Sequence, residues 1–424
     1  MPKPIIEPKI LKGTRDFLPQ MMMKRNHIMG ILTDVFQRFG YNPIETPILT
    51  YAEILLGKYG EEGDRLTYNW EDKGGRQVAL PYDLTVPTAR YVAANWQNLP
   101  MPFKRYQIQR VWRAEKPQKG RLREFYQCDM DIIGTRSLMA DVEIAKVLVE
   151  GLKAVGFDNV VLKVNSRRLI NAILDSLNLT EYAVAVIRSI DKMDKIGEEG
   201  VQKELTAIGV TGEQIKKLFE IFSTRDFSAY DTSEIDEFMT LAKSIGISES
   251  DLSFDPLLAR GMDYYTGMIF EAVAPELGVG SLAGGGRYDN LCATFSKQDF
   301  SGVGASFGFE RIMLALEDLG KLKEVGSTSQ VLITLFDDSG KESAFNLFNQ
   351  LLQKGIRSEV YFQASKLGKQ FKYADKKSIP YVIVQGPDER EKGEVNVKDM
   401  KTGKETAVSV DSLVDHLNNI LLIS

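Results

Sequence analysis

The sequence predicts an α+β unit followed by a smaller α/β unit, and three observations carry that reading. The stretch from Phe103 to Gly134 reads as a strand, a basic loop and a returning strand. Residues from about 167 to 250 are charged and helix-patterned, with no cluster of catalytic character. Beyond a short linker at 326–330, strand-like and helical stretches alternate, as in a separate small domain around a largely parallel sheet.

The chain is 424 residues long and exceeds one ordinary core, so two or three domains are expected. We place them at 1–325, with a helical insertion at about 167–250, and at 331–424 after the linker. Hydrophobic residues make up 43% and charged residues 26%, the balance of a globular protein in water. No apolar run is long enough to span a membrane, and Met1-Pro-Lys-Pro-Ile-Ile-Glu lacks a signal-peptide core, so a cytoplasmic location without membrane contact is expected. Cys128 and Cys292 are too few for a disulfide framework. His27 and His416 are the only histidines, which argues against a Ser-His-Asp triad or a multi-histidine metal site. The chemistry must use carboxylates, arginines and the substrate's own groups. A net charge of −5 speaks weakly against nucleic acid, because phosphate contacts depend on local patches.

In chain order, Lys12-Gly-Thr-Arg-Asp16-Phe-Leu-Pro19 is a polar turn. Ile28, Ile31, Leu32, Val35, Phe36 and Phe39 recur at helical spacing, and Gly40 stops the helix. Tyr41 to Leu49 reads as a strand fenced by prolines. In Leu80-Pro-Tyr-Asp83-Leu-Thr85-Val-Pro87 an extended backbone would turn Asp83 and Thr85 to one side, able to hold an ammonium group; an Asx-type turn fits as well. Within the hairpin, Pro117 and Gly120 shape a loop carrying Lys116, Lys119, Arg121 and Arg123, able to hold a polyphosphate. Val111 and Arg113 share one strand face, and Phe125, Gln127, Asp129 and Asp131 share another. A surface hairpin with scattered charge would show the same composition.

Residues 138–156 read as a helix and Val160–Val164 as another strand of the same sheet. Leu257-Leu-Ala-Arg260-Gly-Met-Asp263-Tyr264-Tyr265 sets two tyrosines beside an arginine and a carboxylate. Gly284-Gly-Gly286-Arg287-Tyr288-Asp289 offers backbone that a ligand can approach closely, or a tight hairpin. The small-residue strand from Gly302 to Gly308 runs into an amphipathic helix with Glu310 and Arg311 at its start, where the helix dipole disfavours an arginine. Lys366, Lys369, Lys372 and Lys376 form a basic stripe on a C-terminal helix, either merely solvated or facing a polyanion.

These strings carry a resemblance. Phe-Lys-Arg through Val-Trp-Arg113-Ala-Glu115 and Gly-Arg121-x-Arg-Glu-Phe125 resembles motif 2 of the class II aminoacyl-tRNA synthetases. The spacing Gln127-x-x-x-Asp131 and the string Leu-x-Arg260-Gly-x-Asp-Tyr264-Tyr265 are similar to the histidyl-tRNA synthetase family, as are the Lys12–Pro19 segment and the triple glycine. The first helix with Pro47 resembles motif 1, and Gly302–Leu314 resembles motif 3.

The resemblance implies a catalytic domain on a mainly antiparallel sheet, an insertion that meets the tRNA acceptor arm, a C-terminal anticodon-binding domain and a homodimer. The implied reaction activates L-histidine with ATP, accompanied by Mg2+, and passes it to tRNA(His). By the same resemblance Arg113 and Arg260 are catalytic. Arg113, Glu115, Arg121, Phe125 and Arg311 would bind ATP, while Asp83, Thr85, Gln127, Asp131, Tyr264 and Tyr265 would bind histidine. Gln118 would meet the acceptor end, and the four lysines the anticodon stem. No Mg2+ ligand is assigned, although Glu310 lies near motif 3. Two other readings stay open: a catalytically inactive paralogue serving as a regulatory subunit of ATP phosphoribosyltransferase, and an amino acid:ATP ligase with another acceptor.

Overall fold

The structure, a computed structural model, describes residues 6–260, 264–277, 280–298 and 300–422. The chain divides into two compact units, one running to Leu322 and the other holding Lys323–Ser424 with Leu18–Lys24. The main sheet of the larger unit has eight strands, β1 (Asn42–Pro43), β2 (Phe103–Trp112), β3 (Glu124–Ile133), β4 (Val161–Ser166), β5 (Leu252–Phe254), β6 (Met268–Val273), β7 (Ala283–Tyr288) and β8 (Gly302–Gly308), and Thr50–Tyr51, Asn69–Glu71 and Gln77–Ala79 form a small second sheet. Their order across the sheet is β1-β2-β3-β8-β7-β6-β4-β5. Every pairing is antiparallel except β1 with β2 and β4 with β5.

The β2–β3 hairpin forms in full, from Phe103 opposite Ile133 to Trp112 opposite Glu124. The strand expected over Tyr41–Leu49 shrinks to Asn42–Pro43, because Pro43 and Pro47 lack the N–H a ladder needs. The first helix, Pro19–Arg38, buries Ile28, Leu32, Val35 and Phe36, as its spacing requires. Gly40 follows at φ 79°, a conformation easy only for glycine.

Helix Leu138–Val155 starts at the Ser137 N-cap, and Arg287 ties it to β7. The Arg287 guanidinium donates to both Asp141 oxygens, to the Thr135 carbonyl at 2.9 Å and to Ser301 Oγ at 2.6 Å. Arg287 therefore serves the packing of the sheet, and the glycine string delivers its ligand-facing groups from the alternate positions. Between β4 and β5 the chain is helical, in Arg167–Ser176, Ala183–Ile190, Met193–Ala207, Gly212–Thr224 and Ser233–Ser244.

The smaller unit holds a five-stranded sheet. Val331–Ile333 pairs in parallel with Ser358–Val360 and Tyr381–Val384. The largely parallel sheet expected there is half of the answer, because Glu394–Asp399 and Glu405–Ser409 extend it antiparallel. Those two strands alternate polar and apolar residues over few positions, a weak signal beside the apolar parallel strands.

Candidate active site

One face of the large sheet gathers the polar residues that sequence periodicity assigned to it. Cross-strand register sets Arg105 opposite Asp131, Gln107 opposite Asp129, Gln109 opposite Gln127 and Val111 opposite Phe125. On the other side of β3, the same face of β8 and β7 is Gly302, Gly304, Ser306 and Gly308, then Gly284 and Gly286. This run of glycines is a floor over which side chains lie flat. A Cβ on Gly284 would fall onto the Arg260 guanidinium, one on Gly304 onto the Asp131 carboxylate, and one on Gly302 onto the Tyr288 ring. Gly284→Ala is therefore expected to displace Arg260 and to lower the turnover of ATP–pyrophosphate exchange by roughly tenfold or more, with the fold retained by circular dichroism. Unchanged turnover would show that Arg260 needs no such floor.

Arg113 lies just past the end of β2. Its guanidinium stands 4.2 Å from the Tyr82 ring centre and 5.2 Å from that of Phe125, and its Nε donates to the Tyr82 carbonyl at 3.0 Å. Two rings and one hydrogen bond thus hold the fork before any substrate arrives. Arg121 pairs with Glu115 at 2.7 Å, so these two ATP candidates hold each other in the free chain. Gln118 and Arg121 close the exposed loop tip by a pair of backbone bonds, with Gly120 at φ 73° between them.

Arg260 takes φ 52° and reaches Glu271 at 3.3 Å. Arg311 donates to the Ser281 carbonyl at 2.7 Å. Its pKa is held below the usual arginine range by burial and by the positive charges of Arg121, Arg260 and Arg113, with Glu271 opposing. Four arginines far apart in sequence therefore share one field. Glu310, next to Arg311, plays no part in it, because both its oxygens are taken by Arg25 at 2.6 and 2.8 Å.

Asp83 and Thr85 are not on an extended segment, since Thr85 opens helix Thr85–Asn95. The Asx-type turn is present: Asp83 Oδ1 accepts from Val86 N–H at 3.2 Å and from the Tyr59 hydroxyl at 3.0 Å. Asp83 Oδ2 receives the Tyr264 hydroxyl at 3.4 Å. Burial raises the Asp83 pKa, and the Val86 N–H, Tyr59 and Arg113 pull it back. The Tyr264 ring meets Tyr265 edge-on at 4.9 Å, and Tyr265 covers Gly286. Asp263, with Gly261 and Met262 of the same string, lies outside the described residues.

Asp131 is held by Arg105 and by the Tyr288 hydroxyl at 2.5 Å. Sequence reasoning did not single out Arg105, Tyr288 or Tyr59, which bond to the candidate carboxylates. The alternation Arg105-x-Gln107-x-Gln109 between apolar residues was a usable signal for Arg105, and Tyr288 was in the glycine string; Tyr59 carries no pattern of its own.

Asp129 is pushed up to about 7 by burial; Arg105 opposes, Asp131 adds, Ser306 opposes and Asp83 adds. A folded pKa above the ordinary carboxyl value means that the folded chain keeps this proton longer than the unfolded one. Its contribution to stability is complete below about pH 4 and lost as pH rises through about 7. Asp129→Asn is expected to raise Tm more at about pH 8 than at about pH 5, by several degrees. An equal shift at both pH values would contradict the ionisation cost.

In the smaller unit, helix Leu367–Lys376 turns Gln370 and Ala374 inward. Gln370 is bonded to Leu335 through both N–H and carbonyl at 2.9 Å. Lys366, Lys369, Lys372 and Lys376 are exposed, and none has an ion-pair partner among the described residues.

An antiparallel sheet with arginines converging over a glycine floor, beside an acidic wall, defines the catalytic unit of a class II aminoacyl-tRNA synthetase. Comparison with known proteins narrows the class. Residues 13–312 match the family model for histidyl-tRNA synthetase and residues 330–420 that for an anticodon binding domain. The histidine–tRNA ligase of Rhodopirellula baltica is 41% identical, covering 97% of this chain and 98% of the relative. That of Christiangramia forsetii is 38% identical over 96% and 98%. The crystal structure of histidyl-tRNA synthetase from Nostoc sp. PCC 7120 superposes with a TM-score of 0.83 at 28% identity, covering 98% of this chain and all of that one. The chain belongs to the histidyl-tRNA synthetase family.

Proposed function

We infer that this chain is a histidine–tRNA ligase, and the observation that carries the inference is the placement of Arg113 against Tyr82 and Phe125 and of Arg260 against Gly284, on the unit that holds the buried Asp83 and Asp131. A carboxylate is already ionised at neutral pH, so activation needs no protein base. The histidine carboxylate oxygen attacks the α-phosphorus of ATP, the bond to the β-phosphate oxygen breaks, and pyrophosphate leaves. The protein's task is to hold the two anions in line and to neutralise charge as it moves.

Arg113, held between Tyr82 and Phe125, bridges the substrate carboxylate and the α-phosphate. Arg260 lies across Gly284 toward the same oxygens. Arg121 exchanges Glu115 for the outer phosphates, which frees Glu115 for the adenine while Phe125 stacks on it. Arg311 meets the γ-phosphate. Asp83, Thr85 and Gln127 take the ammonium group. Asp131, Tyr264 and Tyr265 face the imidazole, where hydrogen-bonding groups reject analogues better than an apolar pocket can.

A magnesium ion bound with ATP would supply positive charge to the leaving phosphates. It prefers phosphate and water oxygens to an all-protein cage, and among the described residues no three His, Cys, Asp or Glu stand together to make one. Glu310 has both oxygens on Arg25 and is not free to hold the ion.

In the second step a terminal ribose hydroxyl of tRNA(His) attacks the histidyl carbonyl and AMP leaves. Gln118 meets the acceptor end and the lysine stripe the anticodon stem. Neutralising all four lysines is expected to raise the Michaelis constant for tRNA and to flatten its salt dependence by about 0.9 in log–log slope per lost phosphate contact. An unchanged slope would remove the stripe from the interface.

The working form is a homodimer in the cytoplasm. Ile48, Leu49 and Tyr51, 40% to 53% exposed after the first helix, are apolar surface that a second copy would cover. Light scattering at micromolar concentration should return twice the chain mass. No helix among the described residues is long and apolar enough to cross a membrane. The test of function is charging: purified protein with ATP, labelled histidine and tRNA(His) transcript should yield histidyl-tRNA. The regulatory reading requires none, and the other-acceptor reading requires adenylate formation without charging.

A further inference from the structure

Three carboxylates are buried at this site, Asp83, Asp129 and Asp131, each 3% exposed. In two of them each oxygen already meets a protein group. Asp83 has Tyr59 and the Val86 N–H on one oxygen and Tyr264 on the other, and Asp131 has Arg105 and Tyr288. Asp129 differs. Ser306 bonds to it, yet its Oδ1 has no hydrogen-bond partner among the described residues.

Gln127, two residues earlier on the same face, repeats the pattern. Its Nε2 donates to Ser306 Oγ at 3.1 Å, while its Oε1 is buried and unpartnered. Leaving a buried acceptor unsatisfied costs free energy, so two side by side mark the place of a donor that arrives with a ligand. The charge balance says which donor. Arg105 is shared, pairing with Asp131 and also drawing on Asp129, so one cation faces two carboxylates. A compact cation with several N–H groups satisfies both acceptors at once, and an α-ammonium group is one.

We propose that Asp129 is a specificity-determining residue that, with Gln127, receives the α-ammonium group of the bound amino acid. This rests on the amino-acid-activating reading above. Ser306 is the positioning residue, joining the two side chains so that Oδ1 and Oε1 stay turned to the ligand. Burial, only partly offset by Arg105, raises the Asp129 pKa to about 7, and an arriving ammonium favours the ionised form.

The test is equilibrium binding to wild type and Asp129→Asn of three ligands: histidine, histidinol, which keeps the ammonium and lacks the carboxylate, and 3-(imidazol-4-yl)propionate, which lacks the amino group. The variant should bind histidine and histidinol roughly 10- to 100-fold more weakly. It should bind the des-amino analogue as well as wild type does, with an unchanged Michaelis constant for ATP. Asp129→Ala, which removes the acceptor as well as the charge, should show the same pattern at larger size. Equal weakening of all three ligands, or unchanged histidine binding, overturns the assignment. Wild-type histidine-dependent pyrophosphate exchange is the control: its absence overturns the enzymatic reading itself, whereas its presence with normal histidine binding by the variant sinks only the role of Asp129.

Discussion

Replacing Arg113 by alanine is expected to lower kcat/KM for histidine-dependent pyrophosphate exchange by roughly 100- to 1000-fold, the loss seen when one preorganised donor to developing charge is removed. The side chain is already in contact with the Tyr82 and Phe125 rings and bonded at Nε to the Tyr82 carbonyl, so little reorganisation precedes reaction. Arg113→Lys should recover only a small part, because an ammonium cannot bridge two oxygens as a planar fork does. The split of the effect is informative. A loss carried mainly by kcat, with the Michaelis constants for ATP and histidine little changed, assigns Arg113 to the transition state; a pure rise in those constants assigns it to ground-state binding.

Asp131→Ala is expected to destabilise the fold by about 3–5 kcal/mol, because it strands the Arg105 guanidinium without its counter-charge. Arg105 is 0% exposed, and Asp131 is the carboxylate it pairs with. The same change raises the Michaelis constant for histidine far more than that for ATP, since Asp131 lies on the wall assigned to the imidazole. Urea unfolding measures the first effect and steady-state kinetics the second. A shift in unfolding free energy below about 1 kcal/mol would mean that Arg105 finds water or another partner, and equal effects on both substrates would remove Asp131 from the histidine pocket. The double variant Asp131→Ala with Arg105→Met should regain much of the stability and none of the histidine affinity, which separates the two roles.

The hairpin and its polar face were legible in the sequence because each follows from a short-range rule, whereas the roles given to the arginines rest on the family resemblance. A two-residue period put Phe125, Gln127, Asp129 and Asp131 on one face, and the structure keeps them there. Arg311 stood where the helix dipole disfavours it, which marked it for another role. The relation among these residues was not legible. That Glu115 and Arg121 hold each other, or that Arg25 removes Glu310 from the site, depends on side chains many positions apart. Asp83 and Thr85 were placed on extended backbone because a period of two was assumed, whereas the Asp83 side chain turns the chain into a helix. The small unit's antiparallel strands were passed over because alternating, half-exposed strands carry less apolar signal than buried parallel ones.

The most direct measurement is ATP–pyrophosphate exchange in the presence of each of the twenty amino acids in turn. If the four arginines engage one triphosphate beside a wall that reads imidazole and ammonium, exchange should occur with histidine and with no other. Exchange driven by a different amino acid, or none with histidine from folded protein, would contradict the account.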